Sequence, residues 1–98
     1  MKRLRAALLA ASLGAALFAA APCARAQDAA DVAAARDLFN EATRYAAAGQ
    51  WELARDRYQR SLTLKRAAIT MYSLGVAQQN TGRLVEALES FRAFLAEP

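Results

Sequence analysis

The chain has 98 residues, which is room for one small domain. Four of its 13 basic residues lie within the first 25 positions, whereas all nine acidic residues follow position 27, so the chain beyond position 26 is formally neutral. The sequence pI of about 9.8 is therefore poor evidence for nucleic-acid binding. With no His and a single Cys, the chain also lacks the commonest ligands of zinc and copper, so we expect no metal and no cofactor.

The first 26 residues have the three-part pattern of a secretory signal peptide. Positions 2–5 hold three positive charges, positions 6–21 contain only Ala, Leu, Phe, Ser and Gly, and Pro22 then breaks the apolar run. Small residues follow at the two positions that signal peptidase reads, so we expect cleavage between Ala26 and Gln27. The pattern predicts an exported protein of the periplasm or cell envelope, whose lone Cys is removed with the signal peptide.

Two other interpretations of this segment fit less well. A membrane anchor needs about 20 apolar residues, whereas positions 6–21 are fewer and mostly Ala. A lipoprotein signal needs a small residue directly before its acylated Cys, and here Pro22 precedes Cys23. We therefore favour a cleaved signal peptide over both.

Beyond position 27 the sequence predicts four helices. Ala, Leu, Arg, Glu and Gln dominate, and these are good helix formers. Gly49 and Gly82 each follow an apolar-periodic stretch, where a helix is closed by a left-handed residue, and Asp28 and Asp31 are candidate N-caps of the first helix. The spacing of apolar residues predicts helices over about Asp31–Ala48, Trp51–Lys65, Ala68–Thr81 and Leu84–Ala96.

The predicted helices also form an internal repeat. A shift of thirty-three residues aligns Gly49 with Gly82, Trp51 with Leu84, Ala54 with Ala87, Tyr58 with Phe91, Leu62 with Leu95 and, upstream, Ala42 with Gly75. The small residues matter most, because Ala42 and Gly75 allow two helices to approach closely, as do Ala54 and Ala87. A two-helix unit with a period of this size is typical of a helical solenoid.

The repeated residues resemble the tetratricopeptide repeat, whose pattern is W-x2-L-G-x2-Y in the first helix, Gly at the turn, A-x3-F in the second helix and then Pro. The second copy matches this pattern at Leu74, Gly75, Gly82, Ala87, Phe91 and Pro98, and the first copy at Ala42, Tyr45, Gly49, Ala54 and Tyr58. Each copy misses some positions, since Glu41 stands where Leu is usual, Gln78 stands where Tyr is usual, and Arg66 lies near the usual Pro. The period is also one residue short of the family's thirty-four, so the link around Lys65 to Ala68 is tighter than usual.

The resemblance covers Ala34 to Pro98 and implies an all-α fold in which two antiparallel helical hairpins stack as a short solenoid. The expected organisation is a signal peptide at 1–26, a lead-in at 27–33, a first repeat at 34–67 and a second repeat at 68–98 that lacks a C-terminal capping helix. Solenoids usually need about three repeats and a cap. The sequence therefore suggests either a piece of a longer protein or self-association through the last helix.

The resemblance also implies a binding site, because the first helices of tetratricopeptide repeats line a concave groove that holds a segment of a partner protein. The matching positions here are Arg36, Phe39, Thr43, Ile69, Tyr72, Val76 and Gln79. Apolar residues at groove positions suit a hydrophobic or extended segment, unless a neighbouring helix or a second copy covers them. The Lys and Asn with which some family members clamp a C-terminal carboxylate are absent, since Phe39 and Thr43 occupy those places.

The sequence offers few candidate catalytic residues. There is no His to act as a general base, and no Cys follows position 23. We therefore predict a scaffold or adaptor that binds another protein, without enzyme activity, nucleic-acid binding or a small-molecule substrate. The alternative is the exported N-terminal module of a longer membrane-anchored or enzymatic protein.

Overall fold

The computed structural model describes the backbone of residues 2–98 and the side chains of residues 22–98. All regular structure in this part of the chain is α-helical, which confirms the all-helical fold class. The four helices are α1 Lys2–Ala47, α2 Trp51–Leu64, α3 Ala68–Asn80 and α4 Leu84–Ala96. Helices α2, α3 and α4 begin at the residues that apolar periodicity predicts and end within one residue of the predicted ends.

Helix α1 is much longer than predicted. Pro22 lies inside the helix and does not end it, and Asp28 and Asp31 lie in its interior, so the prediction that they are N-caps is wrong. The flanking Ala, Arg and Gln residues are strong helix formers, and a capping carboxylate is needed only where backbone N–H groups lack a partner four residues back. Most of the predicted signal peptide, residues 1–21, falls outside the described side chains, while Ala26 and Gln27 are exposed on the helix. Among the described residues, no helix is both long enough and apolar enough to cross a membrane.

The chain divides into two compact units, Met1–Ala30 and Asp31–Pro98. The first unit is the N-terminal part of α1. The second contains the rest of α1 together with α2, α3 and α4, and it includes all residues of both predicted repeats. The buried core and both cavities lie within this second unit.

The same turn occurs twice in the second unit. Gly49 and Gly82 have positive φ angles of 74° and 78°, which glycine adopts without steric cost. The next residue's N–H donates back to the carbonyl five residues earlier in each case, from Gln50 to Tyr45 and from Arg83 to Gln78, at 2.9 Å. This pair of Schellman-type helix ends, thirty-three residues apart, shows that the repeated glycines have the same structural role in both copies.

The core of the second unit is built around small residues. A cluster of buried side chains comprises Ala42, Ala54, Tyr58, Leu74 and Ala77, and helix α3 packs against both α2 and α4. At Gly75 of α3, an added Cβ would lie only 2.6 Å from Cε1 of Phe91 on α4. The close approach of α3 and α4 therefore depends on the absence of a side chain at this position.

Two buried polar residues of the second unit, Ser61 and Gln78, form hydrogen bonds between helices. Ser61 Oγ donates to the carbonyl oxygen of Ala35 at 2.7 Å, and Ser90 Oγ donates to Gln78 Oε1 at 2.6 Å. Each bond offsets the cost of removing a polar group from water. Gln78, which departs from the repeat pattern, thus links α3 to α4.

Helices α1 and α2 are joined by an arginine. Arg57 Nε donates to Glu41 Oε1 at 2.9 Å, its guanidinium lies 5.8 Å from the ring centroid of Tyr45, and it also pairs with Asp56. The hydrogen bond to Glu41 raises the pKa of Arg57 most, and Asp56 raises it further against an opposing desolvation effect. Glu41, where the repeat pattern has Leu, is therefore an ion-pair partner and not a core residue.

Candidate partner-binding groove

An apolar cavity of about 250 Å³ lies where α1, the end of α2 and the start of α3 meet. Its lining residues are Val32, Ala35, Arg36, Phe39, Ser61, Lys65, Ala67, Ile69 and Thr70. The first helices of the two predicted repeats, α1 and α3, thus both contribute to a single concave site.

The local backbone explains why the cavity forms here. Helix α2 ends at Leu64, and the link to α3 is extended, with φ −149° and ψ 121° at Lys65 and φ −153° and ψ 135° at Ala67. An extended link of three residues separates the end of α2 from the start of α3 without filling the space beside it.

The walls of the cavity are suited to an apolar group. Ser61 directs its hydroxyl to the Ala35 carbonyl, so this polar pair is already satisfied. Phe39 is half-buried, and its ring meets that of Tyr58 edge to face with centroids 5.3 Å apart. Ile69 remains 59% exposed, which leaves apolar surface available at the cavity, and the exposed Arg36 contributes a guanidinium cation.

Three of the seven predicted groove residues line this cavity, namely Arg36, Phe39 and Ile69. The other four do not line it. Thr43 Oγ1 is 3.0 Å from both the Tyr58 hydroxyl and the Phe39 carbonyl oxygen, Tyr72 packs between the rings of Phe91 and Phe94, Val76 is half-buried and Gln79 is exposed. The structure therefore brings together the predicted residues that lie nearest the start of each predicted repeat.

Sequence reasoning missed the other six lining residues, which are Val32, Ala35, Ser61, Lys65, Ala67 and Thr70. Ser61, Lys65 and Ala67 lie at the end of α2 and in the link. Their contribution depends on the extended backbone of the link, for which the sequence carries no motif.

A second cavity of about 380 Å³ lies between α2, α3 and α4 and is much more polar. Its charged lining includes Arg55, which pairs with Glu52 at 3.1 Å, and Arg66, which pairs with Glu97 at 2.6 Å. Since these arginines already have carboxylate partners, a ligand would have to displace them. An apolar pocket with few polar groups is the more common binding site, so the first cavity is the better candidate.

The described residues offer no site for metal chemistry, since no three His, Cys, Asp or Glu side chains among them are close enough to hold an ion.

Comparison with known proteins adds no family. No protein-family model matches the chain, and neither a search of curated proteins nor a search of solved structures gives a significant match.

Proposed function

We propose that the chain is an exported, tetratricopeptide-like scaffold of the bacterial periplasm or cell envelope, and that it binds a segment of another protein in the groove between α1 and α3. The observation that carries the proposal is the apolar cavity formed by Phe39 and Ile69 beside Arg36. The repeated glycine-closed helix ends support the family resemblance. The first 26 residues support export.

The size of the cavity favours a peptide side chain over a small molecule. Its volume of about 250 Å³ is below the roughly 300–1,000 Å³ of sites for drug-sized ligands. One large apolar side chain of a partner helix or strand fills such a space, and the neighbouring surface then contacts the rest of the segment. An acidic residue in that segment would be placed to meet the Arg36 guanidinium.

Ile69→Glu is expected to abolish partner binding while leaving the fold intact. Ile69 is 59% exposed, so its replacement removes little core packing. A carboxylate at the cavity is costly to desolvate when an apolar segment docks, and it would compete with an acidic residue of the partner for the Arg36 guanidinium. The measurement is a pull-down from envelope extract with the tagged protein as bait, in which the bands retained by the wild type are identified by mass spectrometry.

The matched control is Leu53→Glu, which places the same charge on α2 at a residue that is 41% exposed and does not line the cavity. A partner that is retained by Leu53→Glu and lost by Ile69→Glu supports the groove. A partner that binds both variants equally would exclude it. Phe39→Ala is a poorer probe, because the Phe39 ring packs on the buried Tyr58 and its loss also destabilises the core.

Export makes a separate prediction about the N-terminus. When the 98-residue chain with a C-terminal tag is expressed in a Gram-negative bacterium, we expect the periplasmic fraction to contain a product that starts at Gln27. Intact-mass measurement checks this. In an Ala26→Phe variant the bulky ring cannot occupy the small peptidase subsite, so the uncut precursor should accumulate; full-length wild-type chain in the cytoplasm would contradict export.

A further inference from the structure

Helix α3 begins at the apolar cavity without a side chain that caps it. Its N-cap residue is Ala67, whose backbone is extended and whose side chain has no oxygen, and no side-chain hydrogen bond is formed at this end. The first backbone bond of the helix runs from the Met71 N–H to the Ala67 carbonyl oxygen at 3.2 Å, and within the described residues the N–H groups of residues 68–70 have no carbonyl partner. Ala67, Ile69 and Thr70 line the cavity, so unpaired N–H groups lie at its edge.

A buried hydroxyl at the same place also lacks a partner. Thr70 is only 3% exposed, and its hydroxyl forms no hydrogen bond within the described part of the chain. Among the described side chains, only Arg83 has a nitrogen or oxygen atom that is both fully buried and unpartnered. The Thr70 hydroxyl therefore keeps accessible surface, and this surface faces the cavity that Thr70 lines. Since buried polar groups are almost always hydrogen-bonded, this hydroxyl is suited to donate to an acceptor on a bound ligand.

The charges around this end of α3 favour an acceptor that is an anion. The positive end of a helix dipole lies at its N-terminus, and the first turn of α3 contains no acidic residue, whereas those of α2 and α4 contain Glu52 and Glu86. The cavity is lined by two cations, Arg36 and Lys65, and by no carboxylate. In the described part of the chain Arg36 belongs to no ion pair. The apolar cavity thus has a positive end, at which α3 begins.

We propose that the partner segment carries an acidic residue beside the large apolar residue that fills the cavity, and that its side-chain carboxylate caps α3. The cap rests on the proposed function, because it names the chemistry that the same groove selects. A capping side chain accepts from the N–H of the second or third helical residue, which here are Ile69 and Thr70. The Thr70 hydroxyl is a further donor, and Arg36 on α1 supplies the opposite charge. Aspartate is among the residues that best cap helices, so an internal side chain of the segment is the source of the carboxylate.

Peptide selection tests this without assuming a sequence. A library of random short peptides, each joined to a phage coat protein through its C-terminus, presents side-chain carboxylates but no free terminal carboxylate. It is screened against protein purified from cells that express the full 98-residue chain, in whichever processed form accumulates. We expect the retained peptides to share a large apolar residue with Asp or Glu beside it. In a synthetic peptide with both ends blocked, replacement of that acid by its amide should weaken binding about tenfold, because charge-assisted hydrogen bonds are lost.

Two variants test the cap on the protein. Ala67→Asp gives α3 a carboxylate of its own at a backbone suited to an N-cap, so it should raise the melting temperature and weaken binding of the acidic peptide about tenfold. Thr70→Val removes the hydroxyl at nearly constant shape and should weaken binding of the acidic peptide more than that of its amide form. The matched control is Gln50→Asp, which adds the same charge at the N-cap of α2, outside the cavity lining, and should bind like the wild type. Thermal melts followed by circular dichroism check that each variant is folded.

The groove and the cap fail in different ways. Ile69→Ser removes apolar surface from the cavity without adding a charge, so peptides that it loses are bound in the groove. If such peptides carry no acidic residue, or bind equally well as amides, the groove stands and the cap is overturned. A blocked peptide that fails to bind while the same peptide with a free C-terminus binds would also overturn it, since the carboxylate would then belong to a chain end. A library that yields only peptides retained by Ile69→Ser, or none at all, would overturn both.

Discussion

A Gly75→Leu variant is expected to lose a large part of the free energy of unfolding of the wild type. Gly75 is buried in α3, and a Cβ at this position would lie 2.6 Å and 2.9 Å from two ring carbons of Phe91. A leucine adds further carbons to a place that cannot accept the first, and overpacking of this kind costs about 1–3 kcal/mol or more. A domain of this size has only about 3–5 kcal/mol of stability from its core. Urea denaturation, followed by far-ultraviolet circular dichroism, measures the loss.

The control for this variant is Gln79→Leu, which places the same side chain at an exposed position of α3 one turn later and should melt like the wild type.

Gly75→Ala separates two opposing effects. Alanine favours a helix over glycine by about 1 kcal/mol, yet its Cβ must displace the Phe91 ring, so it should stabilise the protein only when Phe91→Leu is also present. Equal stabilisation in both backgrounds would show that the ring does not limit the space at Gly75.

The features that sequence analysis located most accurately are those controlled by local backbone chemistry. Gly49 and Gly82 close their helices with positive φ, as glycine after an apolar-periodic stretch predicts. The small residues Ala42, Ala54 and Ala87 are all buried, because two helices can approach closely only where the side chains between them are small. Each of these features depends on a single turn or a single contact between helices, so one sequence is enough to predict it.

The length of α1 could not be predicted in the same way, and the exposure of α4 was expected from the number of repeats and not from apolar periodicity. Apolar periodicity indicates which residues share a helix face, but it does not indicate whether another element covers that face. Leu84 and Leu95 align with Trp51 and Leu62 of the first copy, yet the latter pack against the core whereas the former are exposed. Helix α2 packs against α3 of the next hairpin, and within the described residues no later hairpin covers α4 in the same way.

The candidate groove was predictable in part for a related reason. Resemblance to a repeat family assigns groove positions from the first helices alone, and three of these positions, Arg36, Phe39 and Ile69, line one cavity. The contribution of Ser61 and Lys65 depends on the path of the link between α2 and α3. That path follows from extended backbone angles at the link, for which the sequence between Lys65 and Ala68 carries no turn motif.

Tyr58→Ala is expected to remove the cooperative unfolding transition altogether. Tyr58 is only 5% exposed and belongs to the buried cluster, its ring meets the Phe39 ring edge to face, and its hydroxyl lies 3.0 Å from Thr43 Oγ1. Truncating a large buried aromatic residue to Ala costs about 3–5 kcal/mol through lost burial and the cavity that remains. This is comparable with the whole stability expected for so small a core. The fluorescence of the only Trp, which packs against this cluster at position 51, reports the transition in urea.

Tyr58→Phe is the matched control, because it keeps the ring and removes only the hydroxyl. It should unfold cooperatively and lose about 1 kcal/mol, the usual net contribution of one hydrogen bond. Thr43→Val removes the other partner, and the double variant should cost less than the sum of the two single variants if the Tyr58–Thr43 bond contributes to stability. Full cooperativity in Tyr58→Ala would mean that the ring is not part of the core, and additive losses in the double variant would mean that the two hydroxyls are not coupled.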